Sequence, residues 1–470
     1  MFNFLWKNSL PLQTFFGTSK KIMKPNANIT ELGTEKISTL LLQYAVPAII
    51  AMTAASLYNI TDSIFIGHGV GKDAISGLVP TFPLINLAAA FGAMVGIGAS
   101  TLLSIRMGQK DYDSANKILG NVVVLNLITG ASFALIFYFA LDPFLIFFGA
   151  SEKTLPYARD FMQIILLGNI VSHVYYGLNA VLRASGQPEK SMYATLMTVG
   201  INLILNPLFI FGFKWGIRGS ALATVISQCV MLAWQYSLFN KKTSFLRFSL
   251  EGLKLKKKIV TDSLSIGLSQ FLMNAAASVI VILITRGMRD TGGDDAVGAY
   301  GIVNRISFLF VMVVIGLNQG MQPIAGYNYG AKNYERVISV FKKTVFFATI
   351  AMCAGFLMAQ IMPHHIAALF TPDVNQANLA AAGMRIIFCV FPIVGFQIVT
   401  SNFFQSTGMV KKSIFLSLTR QVLFLIPLLI ILPKIWGTNG VWWSMPISDA
   451  VASVVAAFML FSQLRKFSKF

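Results

Sequence analysis

The chain has 470 residues, 55% of them hydrophobic and only 12% charged, against roughly 25% charged in an ordinary soluble domain. With a mean hydropathy of +0.68, its 18 acidic and 37 basic side chains are too few to coat the domains that a soluble chain of this length would form, so its solvent is lipid. The net charge of +19 would suggest nucleic acid in a soluble protein; in a membrane chain it reports topology.

Residues 1–36 precede the first apolar span and form an N-terminal arm, expected to be disordered. The arm lacks an uninterrupted apolar core with a small-residue cleavage site, so no signal peptide is expected. Met23, which opens MKPNANIT, is an alternative start to Met1. Stretches of about 20 apolar residues, enough to cross a hydrocarbon core of about 30 Å, follow near 39–66, 74–103, 118–140, 158–182, 192–213 and 218–239. A basic linker at 240–258 separates these from six more, near 259–285, 296–321, 338–361, 380–404, 414–434 and 441–463, and a tail at 465–470. The predicted fold is an all-α integral membrane protein: twelve transmembrane helices in two pseudo-symmetric six-helix bundles, an N-lobe at 37–239 and a C-lobe at 259–464.

Cytoplasmic loops retain Lys and Arg, which orients the bundle. One set of loops and ends, from the arm through Arg106, Lys110, Arg183, Lys190, the linker, Lys332, Arg336 and Lys411 to the tail, holds 26 of the 37 basic residues. The opposite loops hold 8, so both termini are expected in the cytoplasm. The rest, Arg305, Arg385 and Arg420, fall within spans, and the first two lie near span ends where they can snorkel. Cys229, Cys353 and Cys389 lie in apolar runs, and His68, His173, His364 and His365 lack ligand spacing, so no metal site is expected.

The halves repeat at a nearly fixed offset. Gly108-Gln-Lys-Asp-Tyr112 returns as Gly330-Ala-Lys-Asn-Tyr334, Gly98 as Gly320, and Gly186 through Ser191 as Gly408 through Ser413, all shifted by 222. Trp215-Gly216 returns as Trp436-Gly437, shifted by 221. Six spans per half is an even number, so a pseudo-two-fold axis should run along the membrane normal with a cavity between the halves, an architecture suited to alternating access. No Walker A loop is present, no loop is long enough for a catalytic domain, and no enzyme activity is expected.

Ionisable residues within spans are functional candidates because they are costly there. Asp62, on the outer half of the first span, is the one acid of the N-terminal half expected inside the membrane, where it could exchange a proton; the alternative is an interfacial aspartate that merely meets outside water. Pro47, earlier in that span, can kink the helix, although proline is also common in membrane helices. Asn202 and Asn206, four apart in the fifth span, share a helix face and could complete a site with Asp62, or simply bond neighbouring helices. Asn179 and His173 in the fourth span are weaker candidates. Arg420 and Asp449 could pair across the last two spans, as a static bridge or a second coupling site. Asp262 is expected to cap the start of the seventh span.

The first-span YNITDSIFIG with Pro47, MGQKDYDSA echoed by YGAKNYERV, LRASGQPEKS, NLILNPLFIFG and WGIRGSALATVISQ together resemble the multidrug and toxic compound extrusion family, from about Ile37 to Leu464. The run RQVLFLIPLLIILPKIWGTNGVWWSMPISD is similar to its bacterial DinF-like branch. The resemblance implies an antiporter of the bacterial inner membrane that exports amphipathic, often cationic, drug-like compounds in exchange for H⁺ or Na⁺, with no other cofactor and no nucleic-acid partner. It also makes Asp62 the coupling residue. A monomer is expected. Many relatives carry Asp-Pro where this chain has Asn206-Pro207, so a second N-half carboxylate is missing. The sodium-type branch places acids in the seventh and tenth spans, where Asn274 and residues 386–404 supply none. The rival expectation is a flippase for lipid-linked saccharides, which should line its cleft with several cations.

Overall fold

The computed structural model describes residues 30–241, 245–371 and 373–467, without the side chains of Asn59, Ile60 and Lys72. Most of the predicted arm, with Met23, lies outside the described residues, as do Lys242 of the linker and the end of the tail.

Every long element among the described residues is a helix. The first six membrane helices are α1 Ile37–Gly69, α2 Asp73–Gly108, α3 Tyr112–Phe139, α4 Leu155–Ala184, α5 Pro188–Gly212 and α6 Gly216–Phe239. The helical stretch Lys257–Gly330 has 74 residues and, if straight, would be about 110 Å long, more than three membrane cores. It is not straight. Gly293, at φ 68°, interrupts it, 222 residues after the φ 118° Gly71 that separates α1 from α2. Both positions use a backbone conformation that a side chain disfavours. The two arms of the stretch also return to one helix: a Cβ on Gly98 would stand 1.9 Å from the Ser263 carbonyl oxygen, and one on Gly108 1.9 Å from that of Tyr327. The stretch is therefore a hairpin, α7 over 257–292 and α8 over 294–330. Then come α9 Tyr334–Ile361, α10 as Val374–Phe388 and Phe391–Ser406 bent by 55°, α11 Val410–Trp436 and α12 Thr438–Phe467. Twelve passes result, as the hydropathy predicts.

The sequence repeat is a repeat of turns. After α2, Lys110 takes φ 61° and the Asp111 side chain accepts the Ser114 N–H at 3.1 Å, capping α3. After α8, Lys332 takes φ 59° and Asn333 accepts the Arg336 N–H at 3.4 Å, capping α9. Gly186 and Gly408, and Gly216 and Gly437, form further positive-φ pairs at the repeat offset.

Three expectations need correction. The arm is ordered from residue 30 onward: Glu31–Thr34 is a helical turn, the Leu32 side chain is buried in the hydrophobic core at 1% exposure, and its carbonyl is held by Asn328 of the other half. Asp262 does not cap α7. The helix starts at Lys257, since the Lys256 N–H is held by Asn121 Oδ1 at 2.9 Å, and this draws the linker's end into the helix and leaves Asp262 half-buried beyond the first turn. Arg305 lies about 18 Å along α8 from Gly293, too far in to count as a helix end.

The halves meet on the side of the basic loops, here the basic side. On α7, a Cβ on Gly267 would fall 1.8 Å from the Met94 carbonyl oxygen; on α8, one on Gly330 would fall 2.1 Å from that of Ile105, and one on Gly320 2.7 Å from Ala45 N. Backbone lies on backbone, which small residues permit in a membrane where packing supplies the attraction. Gln322 of α8 latches α2 through Ser100 Oγ at 3.0 Å and Thr101 Oγ1 at 2.7 Å. At their other ends α1 and α7 turn to their own lobes, Gly69 against Ile210 and Phe211, and Gly292 against Thr438. The basic half of the junction is closed.

Candidate functional site

The first lobe holds a buried polar cluster that gathers α1, α5 and α6. Asp62 lies seven residues, about 10 Å, before the end of α1 that faces away from the basic side. Its Oδ1 accepts from Ser220 Oγ at 2.6 Å and from Asn206 Nδ2. Asn206 also leans toward Asn202 Oδ1 at 3.5 Å. Asn202 Nδ2 in turn donates to Tyr58 OH at 3.3 Å and Thr224 Oγ1 at 3.1 Å, and those two hydroxyls are 2.8 Å apart.

Helical spacing builds this cluster. Tyr58 and Asp62, Asn202 and Asn206, and Ser220 and Thr224 are three pairs at i and i+4, each presenting one face of its helix. Pro207 follows Asn206, and a π-turn at Leu208–Gly212 completes α5 where it meets the end of α1. Asn206 and Ser220 are fully buried while Asp62 keeps partial exposure, so the carboxylate sits at the rim of the buried cluster. Asn206 Oδ1 is buried with no partner among the described residues. An orphaned oxygen beside a carboxylate suits a proton on that carboxyl or a small cation between the two.

The structure thus brings Asp62, Asn202 and Asn206 together. It does not bring Asn179, which bonds Thr195 Oγ1 at 3.1 Å, eleven residues and about 16 Å along α5 from Asn206. His173 is buried against Gly92 and Gly130, apart from the cluster. Ser220, Thr224 and Tyr58 were not singled out in the sequence; their four-residue spacing on the helices flanking Asn202 was the available signal.

Pro47 lies inside α1 where the helix changes partners. Ala45 and Ile49 pack on Gly320 and Gly316 of α8, whereas Tyr58 and Asp62 bond α5 and α6. In the second lobe Arg420 Nε and Asp449 Oδ1 do pair, at 2.6 Å, with Arg420 on a π-turn at Thr419–Leu425 whose carbonyl is bonded by Ser448. Asn274 Oδ1 accepts from Gln270 Nε2 at 3.2 Å. Among the described residues no three His, Cys, Asp or Glu side chains gather as a metal site. A cavity of about 580 Å³ lined by Trp436, Asn439, Trp443 and Ile447 lies in the second lobe, so no residue of the Asp62 cluster borders it.

Comparison with known proteins gives the family and the fold. A profile of the MatE family matches twice, over residues 47–208 and 266–431, once in each half. The chain is similar to the multidrug export protein MepA of Staphylococcus haemolyticus (strain JCSC1435), with 26% identity over 422 residues covering 90% of this chain and 93% of the relative. The same protein of Staphylococcus aureus (strain MSSA476) is 24% identical over 421 residues, with the same coverage. The fold is similar to that of a MOP superfamily transporter from Pyrococcus furiosus and to an outward-facing conformation of a multidrug resistance MATE family transporter. Each gives a TM-score of 0.88 at 23% identity, covering 95% of this chain and 100% of the other.

Proposed function

The chain belongs to the MatE family, and on that premise we propose that it is a secondary active antiporter, exporting amphipathic and often cationic compounds in exchange for a cation bound at Asp62. The basic side faces the cytoplasm of a bacterium and the chain sits in its inner membrane, a reading supported by the bias of basic residues. The carrying observation is the Asp62 carboxylate, held on one oxygen by Ser220 and Asn206 beside the unpartnered Asn206 Oδ1.

The chemistry follows from these groups. When the carboxylate takes a proton, it gains a donor that the buried Asn206 Oδ1 can accept, so loading repairs an unsatisfied pair. A sodium ion would meet the same oxygens, with Ser220 and Thr224 hydroxyls adding neutral ligands, but the single carboxylate favours H⁺. With the basic half closed, Asp62 lies toward the opposite side, where a proton from outside loads it. Drug occupies the cleft between the lobes, and ion and drug favour opposite-facing states, which is the coupling an antiporter requires. The flippase alternative asks for free cations along the cleft; Arg420, well inside the eleventh span, is neutralised by Asp449, which favours drug export.

The test is efflux of a fluorescent organic cation from proteoliposomes under a pH gradient or a sodium gradient imposed separately. A pH gradient alone should drive flux, and Asp62→Asn should lose it while keeping its helical content and drug affinity. Full gradient-driven transport by Asp62→Asn rejects the site, and flux under sodium alone reassigns the ion.

A further inference from the structure

Each lobe grips the segment that leads into the other lobe. In the first lobe, Asn121 of α3 donates to the carbonyls of Gly252 and Lys254 at 2.8 and 3.1 Å and accepts the Lys256 N–H at 2.9 Å. These are the last linker residues before α7. Gly120 lets the linker lie flat there, since a Cβ on it would stand 2.3 Å from Gly252. In the second lobe, Asn328 of α8 donates to the Leu32 carbonyl at 2.9 Å, and Arg336 of α9 reaches the carbonyls of Leu32 at 3.1 Å and Glu35 at 2.6 Å. These are the last residues before α1. Arg336 Nε also bonds Asn328 Oδ1 at 3.1 Å, so the two side chains act as one clamp.

The arrangement is symmetric in a way the sequence repeat alone does not reveal. Leu32 and Lys254, two of the four carbonyls held, differ by the repeat offset of 222. So do Asn121 and Lys343, which bonds Ser38 Oγ in the segment entering α1. The chemistry is nevertheless unequal: a neutral amide holds the linker, whereas a charged guanidinium holds the N-terminal segment, and hydrogen bonds from charged donors are roughly twice as strong.

We propose that these segments are a pair of straps that hold the basic side closed, with Arg336 and Asn121 as positioning residues that set the balance between the two facing states. The lobes cannot part on that side unless the straps release or the first turns of α1 and α7 leave their own lobes. Neither residue touches the Asp62 cluster, so the straps act on the state reached and leave ion binding intact.

The test uses the full chain with its three cysteines replaced by serine and spin labels at Asn240→Cys and Lys411→Cys, exposed positions in opposite lobes on the basic side. Arg336→Ala should raise the population of long inter-label distances about tenfold, Asn121→Ala should raise it less, and Arg336→Lys should fall between Arg336→Ala and the parent. This arm needs neither drug nor ion, so it stands even if antiport through Asp62 fails. A second arm keeps Arg336 and joins Thr34→Cys to Glu335→Cys with a cleavable bismaleimide. Gradient-driven efflux should stop on joining and return on cleavage. Unchanged distances in both alanine variants, or full efflux with the strap joined, overturns the proposal.

Discussion

At the scale of single residues, the two intramembrane carboxylates are held in opposite ways. Asp62 meets neutral donors, one from an alcohol and one from an amide, whereas Asp449 meets a guanidinium. A carboxylate with neutral partners can change its charge at small structural cost; one paired with Arg420 cannot without baring a cation. Asp62 is thus suited to loading and unloading, and Asp449 to holding α11 against α12. Two expectations follow. Ser220→Ala removes a hydrogen bond to a charged group, worth about 1.5 to 3 kcal/mol, and should weaken ion-driven flux by about tenfold or more with folding intact. Unaltered dependence of flux on the coupling ion would make Ser220 a packing residue. For the second pair, Asp449→Asn should cost about 3 to 5 kcal/mol in thermal unfolding in detergent, and the double change Arg420→Met with Asp449→Leu should recover most of it. An additive double mutant would show that the pair is not coupled.

Elements are where the repeat acquires physical meaning. Gly-x-Lys-Asp/Asn-Tyr specifies a helix end, one left-handed residue and an N-cap, and it does so at Gly108 and again at Gly330. The bonds from the Ser114 side chain and N–H hold the Asp111 carboxyl below the usual carboxylate range. A carboxyl depressed in the folded state adds stability above its unfolded pKa of about 4 and loses it as the pH falls through the lower folded value. Asp111→Ala should therefore cost about 1 kcal/mol at neutral pH and progressively less in acid, read as melting temperature against pH. A pH-independent deficit would assign the loss to packing. The twelve spans and the Asp62, Asn202 and Asn206 grouping were legible beforehand, because hydropathy and four-residue spacing are local signals. The break between α7 and α8 was legible in the polar stretch between the spans 259–285 and 296–321, but not the role of Gly293 in making it. That Asn179 bonds Thr195 instead of joining the cluster was not legible, because spacing gives the face of a helix but not its depth against a neighbour, and the ordering of Leu32 depends on Asn328, 296 residues away.

For the whole molecule, the closed basic half rests on glycines whose value lies in what they exclude. A hydrophobic seam could reseal around an added methyl, but here the neighbour is rigid backbone: a Cβ on Gly267 would lie 1.8 Å from the Met94 carbonyl oxygen, and one on Gly98 1.9 Å from that of Ser263. No rotamer change relieves such a clash, so α2 and α7 must separate. The change therefore does more than lower stability; it selects against one of the two states an alternating-access cycle needs. Gly267→Ala and Gly98→Ala should favour the form open on the basic side. A cysteine at the buried Ser104, which faces Gly326 across the same seam, should then react about tenfold faster with a thiol reagent in detergent. Gly200→Ala is the control, because nothing lies within 4 Å of the added methyl, and there the helix should gain about 0.5 to 1 kcal/mol with no change in reactivity. Ion and drug would each act on this same equilibrium from their own sites, so a cycle biased by glycine contacts should lose turnover even while both ligands still bind. Equal reactivity of Ser104→Cys in all three backgrounds, with each protein folded, would show that the seam merely packs the lobes and that the gate lies elsewhere.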